Sequence, residues 1–318
     1  MGFIRRLFKR DTASEAEKRV STPAPKPIEP KTTAPLPPDE VDEQTPLQTR
    51  PLAPPKKFDS RRQQIKFASM SDIGQVRTNN QDACLAMMAK ADMVGNPPPM
   101  GFFVVADGMG GHHDGELAST VTVQTLVQHI VQDVLLPQME GFEPSADQKT
   151  IPEVLIEAME AANQAVQAQV PNGGTTATCV VLRGDLAFIA HVGDSRAYLL
   201  NEGNLELVTR DHSLVRRLQE LGQLTEAEAE VHPQRNVLYR AIGQGEALEV
   251  DTATRRLPPS SRLLICSDGL WGEIGDEAIM RIVRDTPDPH STCERLIEAA
   301  NLSGGHDNIT AVLIQMPD

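Results

Sequence analysis

Dense hydrophobic patterning begins near residue 64 and continues almost to the end of the 318-residue chain. Residues 1–60, by contrast, hold 11 of the 24 prolines, with Thr, Lys and Glu between them. This composition buries too little apolar surface to offset the entropy that folding would remove. The pattern therefore predicts a disordered, proline-rich tail over 1–60 and a folded domain over 61–318.

Within the folded part, short apolar runs predict strands, and apolar residues at helical spacing predict helices. The run at 102–106 is apolar at every position, which is typical of a strand buried on both faces. The other expected strands lie at 65–69, 83–89, 176–182, 186–192, 197–200, 263–266 and 309–315. Helices are expected at 114–136 and 151–170 and twice across 276–301, with a polar loop at 137–150 and short polar helices in 211–240. Antiparallel-type strands with helices in separate blocks predict an α+β layered sandwich.

The first ten residues differ from the rest of the tail. Phe3, Ile4, Leu7 and Phe8 would share one helix face, and the basic residues would lie elsewhere. One interpretation is a weak contact of residues 1–10 with an anionic membrane surface or a partner. The other, which we favour, is a frayed basic start, because the stretch is short for a stable helix.

Charge narrows the range of partners. The chain has a net charge of −14, and because the tail is slightly basic, the folded part alone carries −16. This acidic excess, without a basic or aromatic stripe, argues against nucleic-acid binding. The chain contains no apolar run of membrane-spanning length and no secretory signal core, and its four cysteines are widely spaced. We therefore expect a cytoplasmic protein with reduced thiols.

Three aspartates lie at glycine-marked ends of apolar runs. Asp107 follows the run at 102–106 and precedes Gly108, and Asp268 and Asp307 stand beside the last two apolar runs. Together they predict one acidic pocket, which would repel itself unless cations fill it. Mg²⁺ and Mn²⁺ prefer carboxylate, carbonyl and water oxygens, and the Gly108 carbonyl could join the Asp107 carboxylate on one ion. Most single Asp-Gly pairs are ordinary turns, so only the combination supports this prediction.

Two further aspartates have ordinary alternatives. Asp194, between two strand runs, could be a metal ligand or a hairpin residue paired locally with Arg196. Asp82 could be a ligand or a cap at the start of a strand. A phosphate in an acidic pocket needs a permanently charged partner, and Arg77, Arg196 and Arg240 are candidates that the pattern alone does not separate.

His112 and His113 follow the glycine-rich turn. A histidine beside a metal centre could protonate a leaving alkoxide, although adjacent loop histidines are more often plain surface residues. The other histidines lack H-x-x-x-H or Cys/His spacing, which argues against zinc. The chain also contains no G-x-S-x-G and no P-loop pattern.

The motifs form an ordered set at 71–74, 76–82, 107–112, 174–176, 192–196, 211–213, 235–238, 240–243, 266–271 and 305–310. Through this set, over about 66–315, the chain resembles the metal-dependent protein phosphatases, the type 2C serine/threonine phosphatases, in their bacterial form. Each motif alone is weak, and their order makes the resemblance specific.

The resemblance implies a four-layer α/β/β/α sandwich with two central antiparallel sheets. It implies hydrolysis of phosphoserine and phosphothreonine by a water bound to two Mn²⁺ or Mg²⁺ ions, without a covalent intermediate. The implied metal ligands are Asp107 (bridging both ions), the Gly108 carbonyl, Asp268 and Asp307, with Asp82 holding metal-bound water and Asp194 helping to bind a third, weaker ion. Arg77 would hold the phosphate, and residues 211–240 would form a mobile flap.

Two positions depart from the family pattern. Gln81 stands where many members have Glu, which should change the charge around the site rather than the metal set, because Asp82 is kept. Met109 stands where eukaryotic members have a histidine after the Asp-Gly pair, so His112 is the nearest candidate for the general acid. The tail and an insertion at 90–100 fall outside the resemblance.

We therefore predict a cytoplasmic, Mn²⁺- or Mg²⁺-dependent protein serine/threonine phosphatase that reverses a bacterial Ser/Thr kinase. One alternative is a non-catalytic phosphoprotein-binding module on the same fold, against which the complete aspartate set argues. Another is a dimetal phosphoesterase acting on nucleotides or nucleic acid, which the acidic charge disfavours. The tail could serve as a docking or phosphorylated segment.

Overall fold

The computed structural model describes residues 64–90, 97–111, 113–139, 149–245 and 247–318, apart from the side chain of Glu230. The predicted tail, the basic start at 1–10, His112 and much of the loops at 90–100 and 137–150 thus lie outside the described residues. Within the described ranges, no helix is long and apolar enough to cross a membrane.

The strands are β1 (Lys66–Asp72), β2 (Asp82–Ala89), β3 (Met100–Met109), β4 (Gly174–Thr175), β5 (Ala177–Arg183), β6 (Leu186–Val192), β7 (Arg196–Asn201), β8 (Asn204–Leu207), β9 (Asp251–Arg256), β10 (Arg262–Cys266) and β11 (Ile309–Gln315). The helices are α1 (Asp114–Ile130), α2 (Leu136–Met139), α3 (Ile151–Gln169), α4 (Leu214–Glu220), α5 (Glu226–Glu230), α6 (Asp268–Asp285) and α7 (Pro289–Ser303), and a π-helical turn (Val131–Leu135) joins α1 to α2.

The strands form two antiparallel sheets. The first sheet has the order β1-β11-β10-β7-β8, and the second has the order β2-β3-β5-β6-β9, with β4 paired to β3. The chain passes from the first sheet to the second through the segment between β1 and β2, and it returns between β6 and β7. Both of these crossing segments contain residues of the predicted site.

Three hydrophobic cores lie between four layers, which are two central sheets and a layer of helices on the outside of each. Strand β3 contributes to two of these cores. Its residues alternate, so that Phe102 and Val104 pack with α1 and α3, whereas Phe103 and Val105 face the first sheet. A third cluster lies between the first sheet and helices α6 and α7. The predicted α+β, four-layer α/β/β/α sandwich is therefore confirmed, as is the strand buried on both faces.

Several predicted boundaries were wrong. Strand β9 was not expected, because its sequence (DTATRR) is polar. Strand β3 continues to Met109, so Asp107 and Gly108 lie within the strand rather than after it. The helix expected from 276 is confirmed as the part of α6 that follows a break at Gly275 (φ 70°, ψ 167°), but the helical stretch from Asp268 up to that break was not expected.

Candidate metal centre

The predicted acidic residues gather at one end of the two sheets. Asp107 on β3 is the direct cross-strand partner of Asp82 at the start of β2. Asp268 is the first residue of α6, which follows β10, and Asp307 lies just before the neighbouring strand β11. Asp194 lies in the crossing segment between β6 and β7. The ends of adjacent strands thus bring together carboxylates that are far apart in sequence.

Burial is the largest cause of the change in the pKa of Asp82. It raises the pKa of this carboxyl from an ordinary value of 3.8 to about 7. Hydrogen bonds from Thr310 and Ser267 to Oδ2, at 2.6 and 2.8 Å, oppose that increase, and repulsion from Asp268 and Asp307 adds to it. A cation would remove the penalty, because a nearby positive charge favours the ionised form.

The other carboxyls shift in the same direction. Burial raises the pKa of Asp107 well above its usual range, and repulsion from Asp82 and Asp268 adds to the shift. Burial also raises the pKa of Asp194, followed by repulsion from Asp268. For Asp268, burial again leads, and the neighbouring Asp307 contributes. Several acidic groups are therefore held where they are difficult to ionise together.

Two buried carboxylate oxygens, Oδ1 of Asp82 and Oδ1 of Asp268, have no hydrogen-bond partner among the described residues. Buried polar atoms are normally satisfied, so such exceptions indicate a ligand or an ion. No three His, Cys, Asp or Glu side chains in the described ranges complete a metal-binding group by themselves. Mg²⁺ and Mn²⁺ suit such a site, because they take a few carboxylates together with carbonyl and water oxygens.

Gly108 lies too close to its neighbours to carry a side chain. A Cβ atom there would be 2.6 Å from the Gln81 carbonyl oxygen and closer still to that of Gly115. The same Gln81 oxygen accepts hydrogen bonds from the Gly108 amide, at 3.1 Å, and from Ser119 Oγ, at 2.6 Å. This packing fixes the backbone beside Asp107 against the first turn of α1.

Two threonines hold Asp107 from the other side. Thr176 Oγ1 accepts a hydrogen bond from the Asp107 amide at 2.9 Å, and the Thr176 amide donates to the Asp107 carbonyl at 2.8 Å. Thr175 Oγ1 donates to that carbonyl as well. The sequence placed both threonines in a motif without assigning a role to them.

Among the three candidate arginines, Arg77 lies at the acidic cluster. Its Nη2 is 2.5 Å from Oδ2 of Asp307, and its side chain is 47% exposed. The hydrogen bond to Asp307 raises the pKa of Arg77, so it stays charged. Arg240 is instead engaged by Asp251 and Glu249. Arg77 thus combines a permanent charge with access to solvent beside the carboxylates.

Arg196 belongs to a clamp around Asp194, although its hydrogen bonds go to Asp211 rather than to Asp194. Arg196 donates three hydrogen bonds of 2.7–3.2 Å to Asp211. Its guanidinium lies 3.5 Å from the centre of the Trp271 ring, and Trp271 Nε1 donates to the Asp194 carbonyl at 3.0 Å. Trp271 belongs to the helix that starts at Asp268, so the clamp connects two carboxylate-bearing segments.

The segment 211–240 contains α4 and α5 and is tied to the site at both ends. The His212 amide donates to the Gly193 carbonyl at 2.7 Å, and the Gly193 amide donates to His212 Nδ1 at 3.0 Å. Just after the segment, Ile242 and Thr175 exchange two backbone hydrogen bonds.

His113, the neighbour of His112, is fully exposed, with a side chain 95% accessible.

Comparison with known proteins agrees with this geometry. The family model described as Protein phosphatase 2C matches residues 68–309. The chain belongs to the protein phosphatase 2C family. The match includes Arg77, Asp82, Asp107, Gly108, Asp194, Asp268 and Asp307.

Individual members of the protein phosphatase 2C family are clearly similar. A Streptococcus pyogenes protein, named as being of the protein phosphatase 2C type, is 37% identical over 255 residues, which are 79% of this chain and 97% of that protein. The serine/threonine protein phosphatase PstP of Mycobacterium tuberculosis is 35% identical over 260 residues, 80% of this chain, and this chain spans only 45% of PstP. A crystal structure of the PstP catalytic domain, described as a complex with two manganese ions, superposes with a TM-score of 0.63 at 32% identity, covering 80% of this chain and 99% of that one.

Proposed function

We propose that this member of the protein phosphatase 2C family is a metal-dependent protein serine/threonine phosphatase. The main support is the pair of buried, unpartnered oxygens of Asp82 and Asp268 in a cluster of carboxyls with raised pKa. A half-exposed, permanently charged Arg77 lies beside that cluster. Cation sites next to a phosphate-binding arginine suit hydrolysis of a phosphate monoester.

We assign the ligands of two Mn²⁺ or Mg²⁺ ions to Asp107, the Gly108 carbonyl, Asp268 and Asp307. We assign to Asp82 the holding of water on these ions, and to Asp194 a part in binding a third ion. When bound, such ions would neutralise phosphoryl charge and lower the pKa of water, so that hydroxide is available near neutral pH. The PstP catalytic domain, described with two manganese ions, supports this metal choice.

The chain's own residues supply orientation. Thr175 and Thr176 hold the backbone of Asp107, and the Ser267 and Thr310 hydroxyls fix the Asp82 carboxylate. Arg77, now bound to Asp307, can present its second guanidinium edge to a phosphate, and its charge persists at every pH of interest. His112 remains our proposed proton donor to the leaving alkoxide.

The decisive experiment is a phosphatase assay on purified protein. With millimolar Mn²⁺ we expect hydrolysis of p-nitrophenyl phosphate and of a phosphothreonine peptide, and loss of both with EDTA. Asp268→Asn should lower kcat by roughly 100-fold, because it removes a carboxylate ligand.

The matched control is Asp285→Asn, the same chemical change at the last residue of the same helix, where the side chain is about half exposed. It should leave kcat within about 2-fold of wild type, because rates respond to groups that act at the reacting centre. Circular dichroism should show that both variants fold. A wild-type protein that is inactive on both substrates, or more active on nucleotides than on phosphopeptides, would overturn the proposal.

We further propose that the protein acts in the cytoplasm, on substrates phosphorylated by a bacterial Ser/Thr kinase. All four cysteines, Cys84, Cys179, Cys266 and Cys293, are free, and burial raises the pKa of Cys179 and Cys293 to about 12. Inert, unpaired thiols are typical of a reducing compartment. Fractionation, and the set of phosphoproteins that accumulate when the protein is absent, would test both points.

A further inference from the structure

The side chain of Asn308 joins three backbone groups of one crossing segment, 73–81. Its Oδ1 accepts a hydrogen bond from the Gln81 amide at 2.8 Å. Its Nδ2 donates to the carbonyls of Ile73 and Asn79, both at 2.9 Å. Asn308 is only 4% exposed. The two amide hydrogens and the carbonyl oxygen of one buried side chain therefore connect the beginning of the segment with its end.

Apolar burial contributes little to the shape of the middle of that segment. Residues 73–81 lie between β1 and β2 without regular secondary structure. Val76 is 61% exposed and Ile73 is 38% exposed, so hydrophobic burial does not hold them. Other hydrogen bonds each hold one point of the segment: the Gln75 amide donates to the Gly305 carbonyl at 2.8 Å, and Asn80 Nδ2 donates to Ser71 Oγ at 2.8 Å. At its end, the Gln81 carbonyl accepts from the Gly108 amide and from Ser119 Oγ. Hydrogen bonds, rather than packing, thus determine where the segment lies.

Arg77 stands in the middle of the segment that Asn308 holds. The neighbour of Asn308, Asp307, accepts Arg77 Nη2 on Oδ2 and the Asn308 amide on Oδ1, the latter at 2.8 Å. Two consecutive residues therefore hold the guanidinium and the base of the loop that carries it. A long, half-exposed side chain has many rotamers, so the fixed backbone beneath it decides where its charge can reach.

We propose that Asn308 is a positioning residue for substrate, because it fixes the loop from which Arg77 binds the phosphoryl group. This inference rests on the proposed phosphatase function. Truncation to Ala removes the three hydrogen bonds by which Asn308 holds one amide and two carbonyls of the loop. The loop then relaxes toward solvent, and Arg77 is no longer held over the phosphate.

The test measures KM and kcat separately on a phosphothreonine peptide with saturating Mn²⁺. Asn308→Ala should raise KM by roughly 10-fold and change kcat by less than about 3-fold. In an Arg77→Ala background, Asn308→Ala should not raise KM further, because the residue acts through Arg77. If the Ala variant cannot be purified, Asn308→Asp is the substitute, because it keeps the acceptor for the Gln81 amide and loses both donors. It should likewise raise KM and leave kcat nearly unchanged.

A second readout needs neither metal nor activity. In cation-free protein, hydrogen–deuterium exchange over 73–81 should accelerate in Asn308→Ala. Thr292→Val is a matched control: it removes a buried hydroxyl of α7 that donates to the Thr286 and Asp288 carbonyls, just before that helix. It should lower Tm but leave both KM and exchange over 73–81 unchanged.

Two results would overturn the inference. One is a KM effect of Asn308→Ala that persists in full without Arg77. The other is a calorimetric loss of Mn²⁺ affinity that accounts for the change, since Asn308 would then act on Asp307 or Asp82. An inactive wild-type protein would refute the proposed function instead, so the two failures are distinguishable.

Discussion

The hydroxyls of Ser267 and Thr310 converge on one oxygen of Asp82 and leave its other oxygen without a partner among the described residues. The aspartates themselves were predictable, because glycine beside a carboxylate at the end of an apolar run is a distinctive pattern. The hydroxyls were not, since one Ser between a strand and a helix, or one Thr inside a strand, has no such signature. Asn308 was hidden for the same reason: its three partners lie more than 200 residues away.

Gly108 allows a prediction at this scale. In Gly108→Ala, the new methyl group would collide with the carbonyl oxygens of Gln81 and Gly115, which are backbone atoms and cannot turn aside. We expect destabilisation of about 1–3 kcal/mol, measured by urea unfolding, and loss of phosphatase activity. Gly111→Ala is the control, because no other described residue lies within 4 Å of its Cβ position apart from its chain neighbours. Equal stability of the two variants would contradict the packing at Gly108.

Among the elements, α6 was predicted only in part. The helix expected from 276 follows the break at Gly275, whereas the helical stretch before that break, which contains glycines at 269 and 272, was not expected. The backbone nevertheless becomes helical at Asp268, where a carboxylate at a helix N-terminus is favoured by the dipole. Strand β9 was missed because pairing with β6, rather than an apolar pattern, makes it a strand.

The break in α6 gives a second prediction. Gly275 has φ 70° and ψ 167°, a conformation that other residues rarely adopt, and its Cβ position is open to within 4 Å as far as the structure describes the chain. Gly275→Ala should therefore lower the free energy of unfolding by about 1–3 kcal/mol through backbone strain alone.

Gly272 in the same helix is equally unobstructed and has no positive φ, so Gly272→Ala should raise the free energy of unfolding by about 0.5–1 kcal/mol. Denaturant unfolding of the two variants should thus move in opposite directions. Changes of the same sign would show that the helix is not broken at Gly275 in solution.

For the whole molecule, the layered sandwich followed from runs of antiparallel-type strands with the helices in separate blocks. The order of strands did not, because pairing such as that of β1 with β11 joins the two ends of the domain. The four carboxylates of Asp82, Asp107, Asp268 and Asp307 come together only because the strands have this order. The residue types alone predicted a cation-binding site, whereas the positions of these residues in one site were predicted only by the resemblance to a family with the same order of motifs. Bringing these carboxylates together destabilises the fold unless they are protonated or bind cations.

This leads to a prediction for pH. Burial raises the pKa of Asp82 from 3.8 to about 7 in the cation-free fold. Between these values the folded state binds more protons than the unfolded state, so its stability falls as the pH rises. A cation competes with that proton, and its affinity therefore increases with pH. The Tm difference between Mn²⁺ and EDTA samples should be larger at about pH 8 than at about pH 6.

Comparing the two samples at each pH removes the contribution of groups outside the site. Asp82→Asn should flatten the pH dependence of the EDTA samples, because it removes one of the groups that take up a proton on folding. A Tm difference that shrinks as the pH rises would contradict the assignment of these carboxyls to cations.

Trp271 is the only tryptophan in the chain, and its indole N–H binds the carbonyl of Asp194 while its ring stacks on Arg196. Fluorescence excited at the indole band therefore comes from a single chromophore placed beside two of the proposed ligand segments. The protein carries its own optical reporter of cation titrations, with no label and no background from a second indole.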